Sequence, residues 1–319
     1  MQENPPANSA DSQVVLNHIV LDHLKEQKHK RRWRWIRRAV YLVVIIYIMY
    51  QFFLFNGEEK LLRINPHVGL VDLNGAIFDS LNNNSENFAK SLDSAYKSPG
   101  LKALIIRINS PGGSPVQADY MFNTINYYRK KYDDVKIYAV CVDVCASAAY
   151  YVAAAADEIY ANPVSMIGSI GVVYNGFGFS SAMEKLGIDR RLQTAGANKG
   201  FLDPFSPNNT NQQHLLQVML DDVHKHFIDQ VKKGRGDRLK INDNIFSGLF
   251  WTGAQAIDYG LIDGFASSGE LARDIIKIEP IINYTYKVNM LERFAKNMGV
   301  AFADHLPNML SLVQTTLLR

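Results

Sequence analysis

Cysteine is scarce in this chain, with two in 319 residues, Cys141 and Cys145. That is too few for a disulfide scaffold and too few for a zinc site built from thiolates. Eleven prolines and 21 glycines are ordinary numbers, which removes collagen-like and low-complexity architectures. An excess of charge of either sign is also missing, since the net charge is only +3. Even that small excess is local. Residues 1–38 hold 8 Lys/Arg against 4 Asp/Glu, and the rest of the chain holds 26 against 27. A nearly neutral body with a basic head does not match a nucleic-acid binder. What the chain has in quantity is apolar content, 47% of residues, which implies at least one sizeable core.

Charge is absent altogether from Ala39 to Phe55, 17 residues whose single amide is Gln51. As a helix this stretch reaches roughly 25 Å, about enough for a hydrocarbon core once flanking residues contribute. The run from Lys28 to Arg38 abuts it and carries Trp33 and Trp35, which suit a membrane interface. By the positive-inside rule the N-terminus stays cytoplasmic and residues 56–319 are exported. The head is too long for a cleaved signal peptide, and Asn56-Gly57-Glu58-Glu59-Lys60 offers no small-x-small cleavage site. The expectation is an uncleaved signal anchor, with residues 1–38 cytoplasmic and residues 39–55 spanning the membrane. A core helix of a soluble domain would leave the basic run unexplained. Nuclear or RNA-binding use of that run would leave the apolar stretch unexplained.

From about Pro66 the pattern is α/β. Strands are predicted at Val68–Asn74, Leu101–Ile108, Val135–Val142, Glu158–Ala161 and Ile170–Tyr174. Helices are predicted at Ser85–Tyr96, from the turn at 109–113 to about Lys131, and from near Ala146. Further helices at 179–186 and 209–233 flank a strand at 188–193. Strands alternating with helices imply a mostly parallel sheet covered on both faces. One domain over residues 56–284 accounts for this pattern, with no internal repeat. Residues 285–319 differ: Met290, Leu291, Phe294, Met298, Phe302 and Leu306 recur at helical spacing, interrupted by Pro307. They read as a helical extension that packs on the domain or a second subunit, or that touches the membrane surface.

In open α/β sheets, sites form beyond the carboxyl ends of the strands. Ser110-Pro111-Gly112-Gly113 is one such end, where paired glycines let the backbone approach a ligand or make a tight turn. Cys145-Ala146-Ser147-Ala148-Ala149-Tyr150-Tyr151 is another. Ser147 there is either a helix cap or a nucleophile at the positive end of a helix. A serine nucleophile needs a base, and none of the eight histidines sits in a motif that reads as one. Asp221, Asp222, His224 and His226 match no standard metal spacing and read as a solvated helix face. A desolvated lysine is the other route to a base. Lys199, alone among small and apolar residues in the segment Thr194–Phe205, is the candidate.

These residues carry a resemblance. Ser-Pro-Gly-Gly at 110–113, Ala-Ser-Ala-Ala-Tyr-Tyr at 146–151 and Ile-Gly-Ser-Ile-Gly-Val at 167–172 resemble the SppA-type signal peptide peptidases and the SohB-type peptidases. Trp251-Thr252-Gly253-Ala254-Gln255-Ala256 and Gly260-Leu261-Ile262-Asp263 extend the likeness, which runs from about residue 68 to 265. The resemblance implies a ClpP/crotonase-like α/β fold behind the N-terminal transmembrane helix, and a Ser–Lys dyad. Ser147 matches the family nucleophile, Lys199 the general base, and Ser169 the hydroxyl that orients the lysine. Backbone N–H groups of Gly113 and Ala148 match the oxyanion hole. The family usually carries Ser-Gly-Gly-Tyr where this chain has Ser147-Ala148-Ala149-Tyr150, and an alanine keeps the N–H donor if its φ is negative.

The implied protein is a serine endopeptidase in a bacterial cytoplasmic (inner) membrane, single-pass, with its catalytic domain outside. Its substrates would be hydrophobic peptides, such as cleaved signal peptides or misfolded exported proteins. It would be a homo-oligomer whose dyad is shared between protomers, with no metal, nucleotide or organic cofactor and no nucleic-acid partner. Two other classes compete. A crotonase-type acyl-CoA enzyme shares the fold, but the anchor and Lys199 oppose it. A catalytically inactive membrane scaffold is opposed by the presence of both Ser147 and Lys199. A disulfide between Cys141 and Cys145 fits an oxidising compartment, but a strand-to-turn geometry four residues apart argues against it, and as small buried residues they need no role.

Overall fold

A computed structural model of the chain describes residues 32–50, 63–242 and 244–287. The chain divides into two units, residues 1–62 and residues 63–319. In the first, residues 32–50 form one continuous helix, α1. Four arginines crowd its first two turns, so its uncharged part is residues 39–50. Residues 51–55 of the expected span lie outside the described residues. Among the described residues no helix is long and apolar enough to cross a membrane.

The second unit alternates strands and helices. Its first half runs β1 (His67–Asn74), α2 (Ser85–Tyr96), β2 (Leu101–Ser110), α3 (Pro115–Lys131), β3 (Lys136–Ala146) and α4 (Ala148–Ala153). It continues with β4 (Glu158–Ala161), β5 (Met166–Gly168), α5 (Ser180–Lys185) and α6 (Thr210–Arg235). β6 (Phe250–Thr252), α7 (Gly253–Asp258), β7 (Gly264–Phe265) and β8 (Ile281–Asn283) complete the strands. The helices start where local chemistry allows. Ser114 accepts a hydrogen bond from the Gln117 N–H, and Pro115 opens α3, where no N–H is needed. Thr252 and Gln255 cap α7 reciprocally.

The sheet runs β6-β5-β3-β2-β1-β8, with β4 beside β3 and β7 beside β4. Every pairing is parallel except β5 with β6. Side chains alternate between two apolar layers, as the period of two in a strand requires. Leu104, Ile106 and Ile108 of β2 face the larger layer, with the buried sides of α2, α3 and α4. Ala103 and Ile105 face the smaller one, which Leu271 and Ala272 cover.

Three expectations are corrected. The strand predicted at Ile170–Tyr174 lies earlier, at Met166–Gly168, because β5 must pair with Val144–Ala146 of β3. Residues 188–193 form no strand. Backbone N–H and C=O groups need a neighbouring strand, and Asp189, Arg190 and Arg191 break the apolar alternation there. Cys141 and Cys145 pair as a disulfide, with Cα atoms 5.4 Å apart. Straight strand would hold them about 13 Å apart. β3 is not straight: Ile108 of β2 faces Cys141, yet Ser110 faces Cys145. Val142–Val144 leave that ladder, and the excursion brings the two cysteines together.

At the C-terminal side, β8 pairs with β1, and Thr285 accepts a 2.7 Å hydrogen bond from the Asp72 N–H. Of the extension expected over residues 285–319, residues 288–319 lie outside the described residues.

Candidate active site

Three neighbouring parallel strands, β2, β3 and β5, deliver their carboxyl ends to one place. β2 turns through Pro111-Gly112-Gly113 into α3, β3 passes through Ser147 into α4, and β5 ends at Gly168-Ser169. A cavity of about 310 Å³ opens there, lined by Gly113, Ser147, Ala148, Ser169 and His226 among others.

Ser147 occupies the N-cap position of α4 but makes no capping bond with its side chain. Its φ is +54°, a conformation sparsely used by residues with a side chain and strained in proportion. Two contacts hold it there. Its N–H donates to the Gly168 carbonyl at 2.8 Å, and its carbonyl accepts from Tyr151 N–H at 3.0 Å. The turn from β2 presses on the same point. A Cβ on Gly112 would lie 2.8 Å from the Ser147 Cβ and 2.9 Å from the Ala148 nitrogen. On Gly113 it would lie 2.1 Å from the Ile77 carbonyl oxygen. Only glycine allows this approach.

Ala148 and Ala149 both keep negative φ. The Ala148 N–H is one of the orphan donors that every helix start leaves. Neither it nor the Gly113 N–H finds an acceptor among the described residues. The structure therefore sets a hydroxyl and two backbone donors on one cavity wall. Ser169 joins them with φ +51°, its N–H held by the Leu249 carbonyl at 2.8 Å.

Lys199 is not brought to this wall. It lies exposed on the turn closed by its N–H and the Gly196 carbonyl, and it does not line the cavity of its own chain. The structure adds instead a group that sequence reading set aside. His226 Nε2 lies 3.0 Å from Asp119 Oδ1, and the Tyr151 hydroxyl donates to the same oxygen at 2.6 Å. Asp119 and His226 are 107 positions apart, so no local pattern announced the pair. Burial pushes the Asp119 carboxyl up, but hydrogen bonds from Tyr151 and His226 outweigh it and hold it below the usual range. His224, its neighbour, is bonded to the Ile170 carbonyl at 3.1 Å.

A second cluster fixes the frame of the site. Arg235 at the end of α6 is buried and grips Asp263 at 2.7 and 3.0 Å. Asp263 also accepts from the Ile159 N–H of β4 at 2.7 Å. The Tyr150 hydroxyl, next but two after the serine, donates to the Leu261 carbonyl at 2.7 Å. The segment Gly260–Asp263 thus ties α6, β4 and α4 together.

Comparison with known proteins agrees with the motifs. A family model for peptidase family S49 matches residues 129–277. A putative signal peptide peptidase SppA of Enterococcus faecium is 27% identical over 224 residues, 70% of this chain and 64% of that one. A probable protease SohB of Haemophilus influenzae is 30% identical over 195 residues, 60% of this chain and 54% of that one. A Brucella abortus protein named Na(+)/H(+) antiporter NhaA is 42% identical over 182 residues, 57% of this chain. That name belongs to the whole Brucella protein, of which the match takes in 25%. The chain thus spans between a quarter and just under two thirds of these relatives. By its motifs and these matches, the chain is similar over residues 129–277 to peptidase family S49, and to the SppA/SohB-type serine peptidases.

Proposed function

We propose that this chain is a membrane-anchored serine endopeptidase in which Ser147 is the nucleophile and Lys199 the general base. The observation that carries the reading is the state of Ser147. It is a strained residue at a helix start, its hydroxyl unused by the cap, beside two unspent N–H donors and an open cavity. Strain of this kind persists where surrounding contacts over-determine it, and it gathers at reacting groups.

The chemistry runs as an acyl transfer. Ser147 Oγ bonds to the peptide carbonyl carbon while its proton passes to Lys199 Nζ. The oxyanion takes hydrogen bonds from the Gly113 and Ala148 N–H groups. Lys199 then protonates the leaving amine as the C–N bond breaks, and an acyl-serine ester remains. Water attacks that ester, giving its proton to Lys199, and Ser147 recovers a proton as the carboxylic product leaves. Ser169 orients the lysine.

The exposed position of Lys199 supports a base delivered to the Ser147 of a neighbouring protomer. A homo-oligomer also gives Val173, Phe177, Leu186 and Ile188 a place to be covered, all of them exposed in the single chain. Within such an assembly the ClpP/crotonase-like arrangement places each site between subunits. Residues 1–38 are read as cytoplasmic, residues 39–55 as the anchor, residues 56–284 as the peptidase domain outside the inner membrane, and residues 285–319 as a helical extension. Apolar cavity walls beside a bilayer suit hydrophobic peptides, among them signal peptides after cleavage and misfolded exported proteins.

Hydrolysis of a fluorogenic apolar peptide by the full chain in detergent, compared with Ser147→Ala and Lys199→Ala, tests the reading. Loss of turnover in both variants with folding intact is expected. Equal activity in all three removes the dyad. Silence in all three across a broad peptide panel favours an inactive membrane scaffold, a reading to which the exposed Lys199 and the Ala148-Ala149 pair lend weight.

A further inference from the structure

The cavity beside Ser147 is mostly apolar or small. Pro115, Val172, Val173, Val223 and Phe227 make up much of its wall, and among the described residues no lysine or arginine lines it. Against that background His226 stands out. Its side chain is 56% exposed, so it is reachable, and it is held from behind rather than left to swing. Asp119 of α3 accepts from the ring at Nε2, and it is anchored in turn by the Tyr151 hydroxyl of α4 and by Asn123 at 3.0 Å. The Tyr151 ring packs 4.9 Å from Phe227, the next residue of α6, which fixes the helix face that carries His226.

The tautomer follows from the partner. A carboxylate only accepts, so Nε2 carries a proton and the neutral ring keeps Nδ1 as an acceptor. The charge on the pair points the same way while the ring is neutral. With the ring neutral, the Asp119–His226 pair carries one negative charge. With the ring protonated, the two charges cancel. In neither state does this wall present net positive charge to a ligand, and Tyr151 is neutral because burial and the Asp119 carboxylate both push its phenol up.

We propose that His226, oriented by Asp119, makes one subsite of the Ser147 cavity select a hydrogen-bond-donating cationic side chain, lysine or arginine, over an acidic one. The inference rests on the reading of this cavity as the peptide site. It adds a preference that an apolar wall alone does not produce: a peptide that is hydrophobic along most of its length with one basic residue near the scissile bond. His226 touches the substrate, and Asp119 acts through it as a positioning residue.

The test uses the full chain in detergent and peptides of one apolar sequence carrying Lys, Gln, Leu or Glu at each position flanking the scissile bond. Two readouts are taken: kcat/KM for hydrolysis, and Kd for the uncleaved peptides on Ser147→Ala. At one position Lys is expected to exceed Glu by about tenfold or more in both, the size of one hydrogen bond to a charged group. His226→Phe, and separately Asp119→Asn, should bring that ratio to near unity through KM rather than kcat. His226→Gln serves as a second ring replacement if the phenylalanine variant fails to fold. A wild-type ratio near unity at every position overturns the proposal, as does a Lys preference that survives both ring replacements. The binding arm separates the two readings. If nothing is hydrolysed but Lys-peptides bind Ser147→Ala tightest and lose that advantage with His226, the subsite stands and the peptidase reading fails. If no peptide binds or is cleaved, both fall.

Discussion

At the scale of single residues, the backbone around Ser147 stores strain that the rest of the turn holds in place. A residue with a side chain at φ +54° costs on the order of 1–3 kcal/mol. The bond from its N–H to Gly168 and the close approach of Gly112 leave it no easier conformation. In the proposed site Ala148 offers its N–H from the first position of α4, where a proline would carry none. Ala148→Pro is therefore expected to keep most of the helix and sheet content while lowering kcat about 100-fold or more, through the lost oxyanion donor and the proline ring crowding Gly112. Circular dichroism beside kcat on an apolar peptide checks both halves. A variant with normal turnover removes Ala148 from the oxyanion hole. The serine and the paired glycines were legible because each turn needs its residue type locally. Asp119 and His226 were not, because their contact exists only after α3 and α6 pack together.

At the scale of elements, the pair of Arg235 and Asp263 binds α6 to the strand layer. Burial raises the Asp263 carboxyl, but the Arg235 guanidinium overcomes it and the carboxyl rests below its ordinary value. A carboxyl lowered on folding contributes stability above its unfolded value and loses it as pH falls through the folded value. Asp263→Ala leaves Arg235 buried and unpaired, and is expected to cost about 3–5 kcal/mol at neutral pH. Urea midpoints measured at pH 7 and again in acid check this. The deficit of the variant should shrink as wild-type Asp263 becomes protonated, and a constant deficit would mean that packing rather than charge carries the effect.

Element identity was the most readable level. α2 falls where the apolar spacing puts it, Ser85–Tyr96, and β4 falls on Glu158–Ala161. The misreadings share one cause. A strand is stable only beside another, so 188–193, its alternation broken by Asp189, Arg190 and Arg191, has no partner among the described residues, while Ile281–Asn283 finds one in β1. The excursion at Val142–Val144 is likewise invisible in composition. It is set by how β3 shares its edge between β4 and β5.

At the scale of the whole molecule, the proposed anchor and the proposed assembly each make an expectation. The full chain should stay with the membrane fraction after alkaline extraction, and Ile45→Arg with Ile46→Arg should release it, since charge at mid-span opposes insertion. Release of the wild type by the same wash would remove the anchor. If the dyad is shared across an interface, Ser147→Ala and Lys199→Ala protomers are each silent alone. Co-assembled, they should regain a fraction of wild-type turnover, because some interfaces then pair an intact serine with an intact lysine. Persistent silence of the mixture, with mixed assemblies confirmed by tag capture, would place both groups of a working site in one chain.

The sequence by itself determined what depends on neighbours along the chain: the basic head beside an uncharged stretch, the strand and helix periods, the glycine turn, and a serine at a helix start. These are short-range matters of torsion, spacing and solvation. Only the tertiary structure decided which strand ends meet, that Cys141 and Cys145 join, that Lys199 does not line its own chain's cavity, and that Asp119 holds His226 on its wall. The meeting of strand ends and the Asp119–His226 bond join segments far apart in the chain, and even the cysteine pair, only four residues apart, depends on how the sheet bends β3.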